Sequence, residues 1–142
     1  MAPVKRQDKR TAVVTGGSRG IGLGIAGCLL ARGASVAVTY RGDDAAAKRA
    51  EAGLRKKAAK GAKLLFLKGD TGDAAAVAGQ HRLIRDAFGD IDILVNNAGI
   101  MDRRPFDRLS VEDWDETIRV NLSGAFYWMM CAVPAMKAGN FG

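Results

Sequence analysis

The sequence predicts an α/β protein built on a doubly wound parallel sheet. Four short apolar runs alternate with four longer stretches that have helical spacing. Most of the runs are continuously apolar rather than alternating, as in strands that helices cover on both faces. Short turns containing glycine separate the segments. Strict alternation of strand and helix requires crossover connections, which are right-handed in parallel sheets.

The predicted strands are rich in bulky apolar residues, which favour a buried sheet. They comprise Thr11–Thr15, Ser35–Tyr40, Lys63–Lys68 and Ile91–Asn96. The length of 142 residues suits one domain with a moderate core.

A helix is predicted after each strand, at Gly20–Arg32, Asp43–Lys60, Asp73–Phe88 and Ser110–Lys137. The last begins at a serine with an aspartate three residues later, which resembles a capping box. Apolar residues at helical spacing predict the face of this last helix that packs on the core. These residues are Trp114, Ile118, Leu122, Ala125 and Met129.

Composition excludes several classes of protein. Hydrophobic residues make up 48% and charged residues 26%, which is typical of a soluble globular chain. No apolar run approaches the about 20 residues that span a bilayer. Cys28 and Cys131 are far apart and His81 is the only histidine, so a zinc site and a disulfide framework are not expected. A reducing cytoplasm fits this cysteine usage, and His81 is expected to be a packing or partly exposed residue.

The net charge of +7 raises the question of a nucleic-acid partner. Much of the excess positive charge lies at residues 47–63, mostly within the second predicted helix, and no aromatic residue stands among the basic ones. A solvated helix face is therefore favoured over attraction for an anion, and no nucleic-acid or membrane partner is expected. Residues 1–9 are basic without an apolar segment and predict a short flexible tail rather than a signal peptide.

A glycine-rich turn joins the first strand to the first helix. Gly16 follows the strand directly, and Gly20 and Gly22 stand where the helix begins. Glycine admits positive φ and leaves no Cβ, so backbone N–H groups and the positive helix end can face an anion such as a pyrophosphate. The alternative is a tight turn that needs glycine for its own geometry. The GxGxxG match at residues 22–27 lies inside the helix, where Gly24 and Gly27 are expected to permit close helix–sheet packing.

Two motifs carry a resemblance to a known family. The pattern TGxxxGxG spans residues 15–22, NNAG spans residues 96–99, and the segment PFDRLSVEDWDETIRVNLSGAFYWMMCAVPAM continues the match. The chain resembles the short-chain dehydrogenase/reductase family, with the β-ketoacyl-(acyl carrier protein) reductase type nearest. The resemblance implies a Rossmann-like dinucleotide-binding domain over residues 10–142 with strand order 3-2-1-4. In the loop it implies cofactor contacts from Gly16, Ser18, Arg19, Gly20, Ile21 and Gly22.

The end of the second strand predicts the type of cofactor. The family position that reads the adenosine ribose falls on Tyr40, and Arg41 follows. A carboxylate there would favour NAD(H), whereas a guanidinium can bind a 2′-phosphate in bidentate fashion. Arg19 adds a second positive charge, so NADP(H) is favoured over NAD(H). The alternative is that Asp43 or Asp44 reads the ribose, although both resemble the cap of the next helix.

The resemblance implies further cofactor contacts at the other strand ends. Asp70 would bind the adenine amino group with Thr71 beside it, unless Asp70 is a turn or N-cap residue. The adenosine ribose would lie against Asn96, Ala98 and Gly99.

The resemblance also assigns Asn121 to the catalytic tetrad of the family, where it holds a helix distortion and a water in the proton relay. Within the predicted apolar face a buried amide needs hydrogen-bonding partners, and a purely structural amide is the alternative. Residues 101–107 could form part of a substrate wall.

The family reduces a carbonyl, such as a 3-oxoacyl thioester or a small ketone, with a tyrosine as proton donor and a lysine four residues later. Asp44 and Cys131 stand four residues after Tyr40 and Tyr127, so this chain has no such pair. The chain alone is therefore expected to be inactive, truncated before the fifth strand of the family fold. A catalytically inert nucleotide-binding fragment or interaction module is the alternative function. At full length we expect a small carbonyl, alcohol or acyl-carrier substrate and a homo-oligomer.

Overall fold

In the part of the chain that the structure describes, four parallel strands form one sheet in the order β3-β2-β1-β4. The computed structural model describes residues 10–142, so the predicted basic tail lies outside the described residues. The strands are β1 (Thr11–Val14), β2 (Ser35–Tyr40), β3 (Leu64–Lys68) and β4 (Ile93–Val95). The predicted fold class and strand order are confirmed, with β1, β3 and β4 shorter than predicted.

Within residues 10–142, five α-helices connect or flank the strands. They are α1 (Gly20–Ala31), α2 (Asp44–Arg55), α3 (Ala74–Phe88), α4 (Val111–Ile118) and α5 (Gly124–Ala138). A five-residue π-helical segment, Arg119–Ser123, joins α4 to α5, and a short 3-10 turn covers Phe106–Arg108. The last predicted helix is therefore one helical run with a π segment in its middle.

Side chains at helix starts explain where several helices begin. Asp43 accepts a hydrogen bond from the backbone of Ala46 and caps α2, and Asp73 caps α3 in the same way. Ser110 and Asp113 form the predicted capping box of α4. The predicted second helix was too long, because the chain turns after Arg55 and the Ala59 N–H donates to the carbonyl of Leu30.

Hydrophobic clusters cover both faces of the sheet, as a doubly wound fold requires. Val14 and Val36 pack with Leu30 of α1 and Leu54 of α2. The other cluster joins neighbouring strand residues to α3 and α5, with Trp128 fully buried. The sheet is thus held from both sides, and the carboxyl ends of its strands are left to form a site.

The predicted apolar face of the last helix is wrong. Trp114 and Leu122 are 64% and 63% exposed, and Met129 is exposed as well. The π segment and α5 bury a different row of residues, Val120, Gly124, Trp128 and Ala132. Small residues in that row allow the close approach, since a Cβ on Gly124 would lie 2.9 Å from the carbonyl oxygen of Thr71. The spacing of apolar residues therefore predicted the wrong face of this helix.

His81 is half-buried on α3, as predicted, and burial is the main cause that lowers its pKa. Across residues 10–142, no group of three or more potential ligand side chains could hold a metal ion. Within the same range, no helix has both the length and the apolar character to cross a membrane.

Candidate functional site

A cleft of about 440 Å³ lies at the carboxyl ends of the four strands. Its volume falls within the about 300–1,000 Å³ typical of small-molecule sites. Nine of the predicted site residues line it, and they come from the loop after β1 and from the ends of the other strands. They are Gly16, Ser18, Arg19, Tyr40, Arg41, Asp70, Thr71, Ala98 and Gly99.

The other five predicted residues do not line this cleft. Gly20 and Ile21 lie exposed in the first turn of α1, and Gly22 is buried beneath the loop. Asn96 is exposed at the end of β4, and Asn121 lies on the π segment.

The loop after β1 has the backbone geometry that glycine permits. Gly16 has a φ of +64°, and a Cβ there would lie 2.9 Å from the Cα of Ala98. A Cβ on Gly22 would lie 2.9 Å from the carbonyl oxygen of Gly16. These glycines let the loop fold tightly over the start of α1, whose positive end then faces the cleft.

The two glycines further along α1 do not pack on the sheet as predicted. A Cβ on Gly24 would meet nothing within 4 Å. Gly27 is buried, but it faces Leu54 of α2 rather than a strand. The prediction of helix–sheet packing at these two positions is therefore wrong, while the register at residues 15–22 places the tight loop at the cleft.

Thr15 and Asn97 join the glycine loop to the end of β4, and the sequence analysis missed both. The Thr15 hydroxyl accepts hydrogen bonds from the backbone N–H groups of Asn97 (3.0 Å) and Ala98 (2.9 Å). The Asn97 side-chain amide donates to the carbonyls of Thr15 (2.8 Å) and Gly16 (3.2 Å). Both residues lie within the motifs at residues 15–22 and 96–99, which was the available signal.

Replacing Thr15 with valine is expected to lower the free energy of unfolding by about 1–3 kcal/mol, because two partly buried N–H groups lose their acceptor. Serine keeps the hydroxyl and loses one buried methyl group, so Thr15→Ser should cost about 0.8 kcal/mol or less. Urea unfolding of the three proteins measures this difference. Equal losses for valine and serine would contradict a role for the hydroxyl.

Four charged side chains form a network on one side of the cleft. Arg119 donates to Asp70 (Nη2 to Oδ2, 2.8 Å) and to Glu116 (Nε to Oε2, 2.7 Å). Arg41 Nη1 lies 3.1 Å from Oε1 of Glu116 and 3.9 Å from Oδ2 of Asp70. Sequence analysis missed Glu116 and Arg119, which are 75 residues from Arg41 and 49 from Asp70, respectively.

The network keeps the Asp70 carboxylate charged. Burial raises the pKa of Asp70. Hydrogen bonds from Arg119 and the Gly72 N–H, together with the nearby charge of Arg41, lower it by more than burial raises it, so the pKa of Asp70 lies below its usual range. The Gly72 N–H donates to Asp70 Oδ1 at 2.8 Å, which is the turn role considered for this residue. The N-cap role belongs to Asp73 instead.

The acidic residues after β2 have partners of their own. Asp43 lines the cleft and also caps α2. Asp44 pairs with Lys68 at 2.8 Å. The prediction that these residues form the helix start is confirmed for Asp43.

Asn121 is exposed, so its predicted burial in a core-facing stripe is wrong. Its side chain nevertheless has two backbone partners. Oδ1 accepts from the Ile100 N–H and Nδ2 donates to the Ile100 carbonyl, both at 2.8 Å. The π segment thus turns this amide toward the loop after β4 and fixes that loop beside the cleft.

A family model described as short chain dehydrogenase matches residues 10–142. The chain belongs to the short-chain dehydrogenase family. Its predicted family is thereby confirmed.

The chain is also similar in sequence to individual curated proteins. D-beta-hydroxybutyrate dehydrogenase of Cupriavidus necator is 40% identical over 94% of this chain and 50% of its own length. The 3-oxoacyl-(acyl-carrier-protein) reductase of Staphylococcus aureus is 38% identical over 94% of this chain and 53% of its own. The chain thus spans about half the length of these curated relatives.

A solved short-chain dehydrogenase from Burkholderia cenocepacia, in complex with NADP, has a TM-score of 0.83 and 38% identity to this chain. The match covers 91% of this chain and 51% of the other. A putative short-chain alcohol dehydrogenase from Sinorhizobium meliloti has a TM-score of 0.85 at 37% identity, covering 97% and 53% of the two chains. The Rossmann-like fold is therefore shared with enzymes of this family.

Proposed function

We propose that residues 10–142 form the cofactor-binding domain of an NADP(H)-dependent oxidoreductase that reduces a carbonyl to an alcohol. One observation carries the proposal: Arg41 and Arg19 line the same cleft as the tight glycine loop. That arrangement offers positive charge for a 2′-phosphate beside backbone N–H groups suited to a pyrophosphate.

The residues present fit the cofactor. The loop positions Gly16, Gly20 and Gly22 leave room for the pyrophosphate, and Cβ atoms at the first and last would collide with backbone. Ser18 and Arg19 would complete the loop contacts inside the cleft, and Ile21 would reach the cofactor from the exposed first turn of α1. Tyr40 and Arg41 would hold the 2′-phosphate end and Asp70 and Thr71 the adenine. Ala98 and Gly99 would hold the ribose, and Asn96 would contribute only from outside the cleft.

When bound, NADPH supplies a hydride to the substrate carbonyl. The chain's own contribution to that chemistry is Asn121, which we assign to holding the helix distortion and a water of the proton relay, while its side-chain amide anchors Ile100 beside the cleft. The acid and base that complete the relay are not supplied by a Tyr-x-x-x-Lys pair in this sequence. Substrates of the whole protein are proposed to be 3-oxoacyl thioesters or small ketones, in line with the relatives named above.

We further propose a cytoplasmic protein that forms a homo-oligomer at full length. The exposed apolar residues of α4 and α5, such as Trp114 and Phe126, support association through these helices. Both cysteines are free thiols, which suits a reducing compartment.

Titration of this chain with NADPH and with NADH by isothermal calorimetry tests the proposal. We expect saturable binding of NADPH, weaker binding of NADH and no turnover of a ketone substrate. Absence of binding by either cofactor would overturn the proposal. The second candidate, an inert nucleotide-binding or interaction module, is supported by the missing Tyr-x-x-x-Lys pair, and turnover of NADPH by this chain would exclude it.

A further inference from the structure

Arg41 is already paired with carboxylates of its own chain. The closer partner is Glu116, at 3.1 Å, and the more distant one is Asp70, at 3.9 Å. The side chains of Arg41 and Glu116 retain 57% and 40% exposure. Exposed ion pairs of this kind contribute little stability, so another anion can replace Glu116 at Arg41.

Glu116 does not depend on Arg41 for compensation of its charge. Arg119 donates to both oxygens of the Glu116 carboxylate, at 2.7 and 2.9 Å, and also bonds Asp70. If Arg41 moves to a different anion, both carboxylates therefore keep a guanidinium partner. Arg41 is thus the exchangeable cation of the network, and Arg119 is the retained one.

We propose that Glu116 is a specificity-determining residue that competes with the 2′-phosphate of NADP(H) for Arg41. This inference rests on the proposed function. A phosphate monoester carries about −1.5 to −2 charges at neutral pH, so it both seeks Arg41 and is repelled by the neighbouring carboxylate. NAD(H) has a neutral hydroxyl at that position and leaves the Arg41–Glu116 pair in place. Glu116 therefore lowers the preference for NADP(H) that Arg41 creates.

The experiment compares NADPH and NADH dissociation constants for the wild-type chain and Glu116→Gln. Glutamine keeps the shape of the side chain and removes its charge, so NADPH binding should tighten about three- to fivefold, the scale of an exposed ion pair. NADH binding should remain unchanged. Glu112→Gln is the matched control, because Glu112 is an exposed acid in the first turn of the same helix. It should alter neither constant.

A second background shows whether Glu116 acts through Arg41. In an Arg41→Ala chain, Glu116→Gln is expected to tighten NADPH binding less than in the wild-type chain, because only the direct repulsion between the carboxylate and the 2′-phosphate is then relieved. Glu116→Ala provides the same charge removal if the glutamine variant does not fold. The inference would be overturned if Glu116→Gln and Glu116→Ala left NADPH binding unchanged or weaker. It would also be overturned if Glu116→Gln tightened NADPH binding as much in the Arg41→Ala chain as in the wild-type chain. Neither result would affect the proposed function. Failure of the wild-type chain to bind either cofactor would overturn the proposed function and this inference with it.

Discussion

Arg41→Asp is expected to weaken NADPH binding by about 10- to 150-fold, because a charge-assisted contact contributes about 1.5–3 kcal/mol. The introduced carboxylate also repels the 2′-phosphate and adds to the negative charge of Glu116 and Asp70. NADH should bind as well as before or more tightly, since an aspartate can accept a hydrogen bond from the ribose hydroxyl. Calorimetric titration of both cofactors measures the ratio.

Arg49→Asp is the control for the change in net charge. Arg49 is exposed on α2 and does not line the cleft, so both cofactor affinities should remain close to wild type. An equal loss of NADPH and NADH affinity in Arg41→Asp would show that Arg41 does not read the 2′-phosphate.

Gly22→Ala is expected to lower the free energy of unfolding by about 1–3 kcal/mol, the usual cost of adding atoms to a packed site. The new Cβ would lie 2.9 Å from the Gly16 carbonyl oxygen and from the Gly17 Cα, so the loop must shift. The shift should also weaken NADPH binding, because the same loop is proposed to hold the pyrophosphate. Urea unfolding and calorimetry measure the two effects.

Gly24→Ala provides the opposite case in the same helix. Its Cβ would point into open space, and alanine is favoured over glycine in a helix by about 0.5–1 kcal/mol. The variant should therefore be slightly more stable than wild type, with unchanged NADPH binding. Loss of stability in both variants, or in neither, would contradict the close approach assigned to Gly22.

Much of the architecture was predictable because it depends on local patterns. Continuous apolar runs indicated buried strands, and the glycine motif at residues 15–22 indicated a tight loop at the end of a strand. These signals lie within a few neighbouring residues, so the chain carries them without reference to the rest of the fold.

What was missed depends on residues far apart in the chain. Thr15 meets Asn97 across 82 positions, and Arg41 meets Glu116 across 75. The buried face of α5 combines Trp128 with two small residues, Gly124 and Ala132, while other apolar residues at helical spacing stay exposed. Spacing along the chain does not show which distant residues pair or which of two apolar rows is buried.

Amide chemical shifts of the ¹⁵N-labelled chain during NADPH titration show where the cofactor binds. We expect the largest changes at residues 16–22, at Tyr40 and Arg41, and at Ala98 and Gly99, with little change along α3. Changes confined to the basic face of α2, around Lys48 and Lys56, or no changes at the glycine loop, would contradict a cofactor site in this cleft.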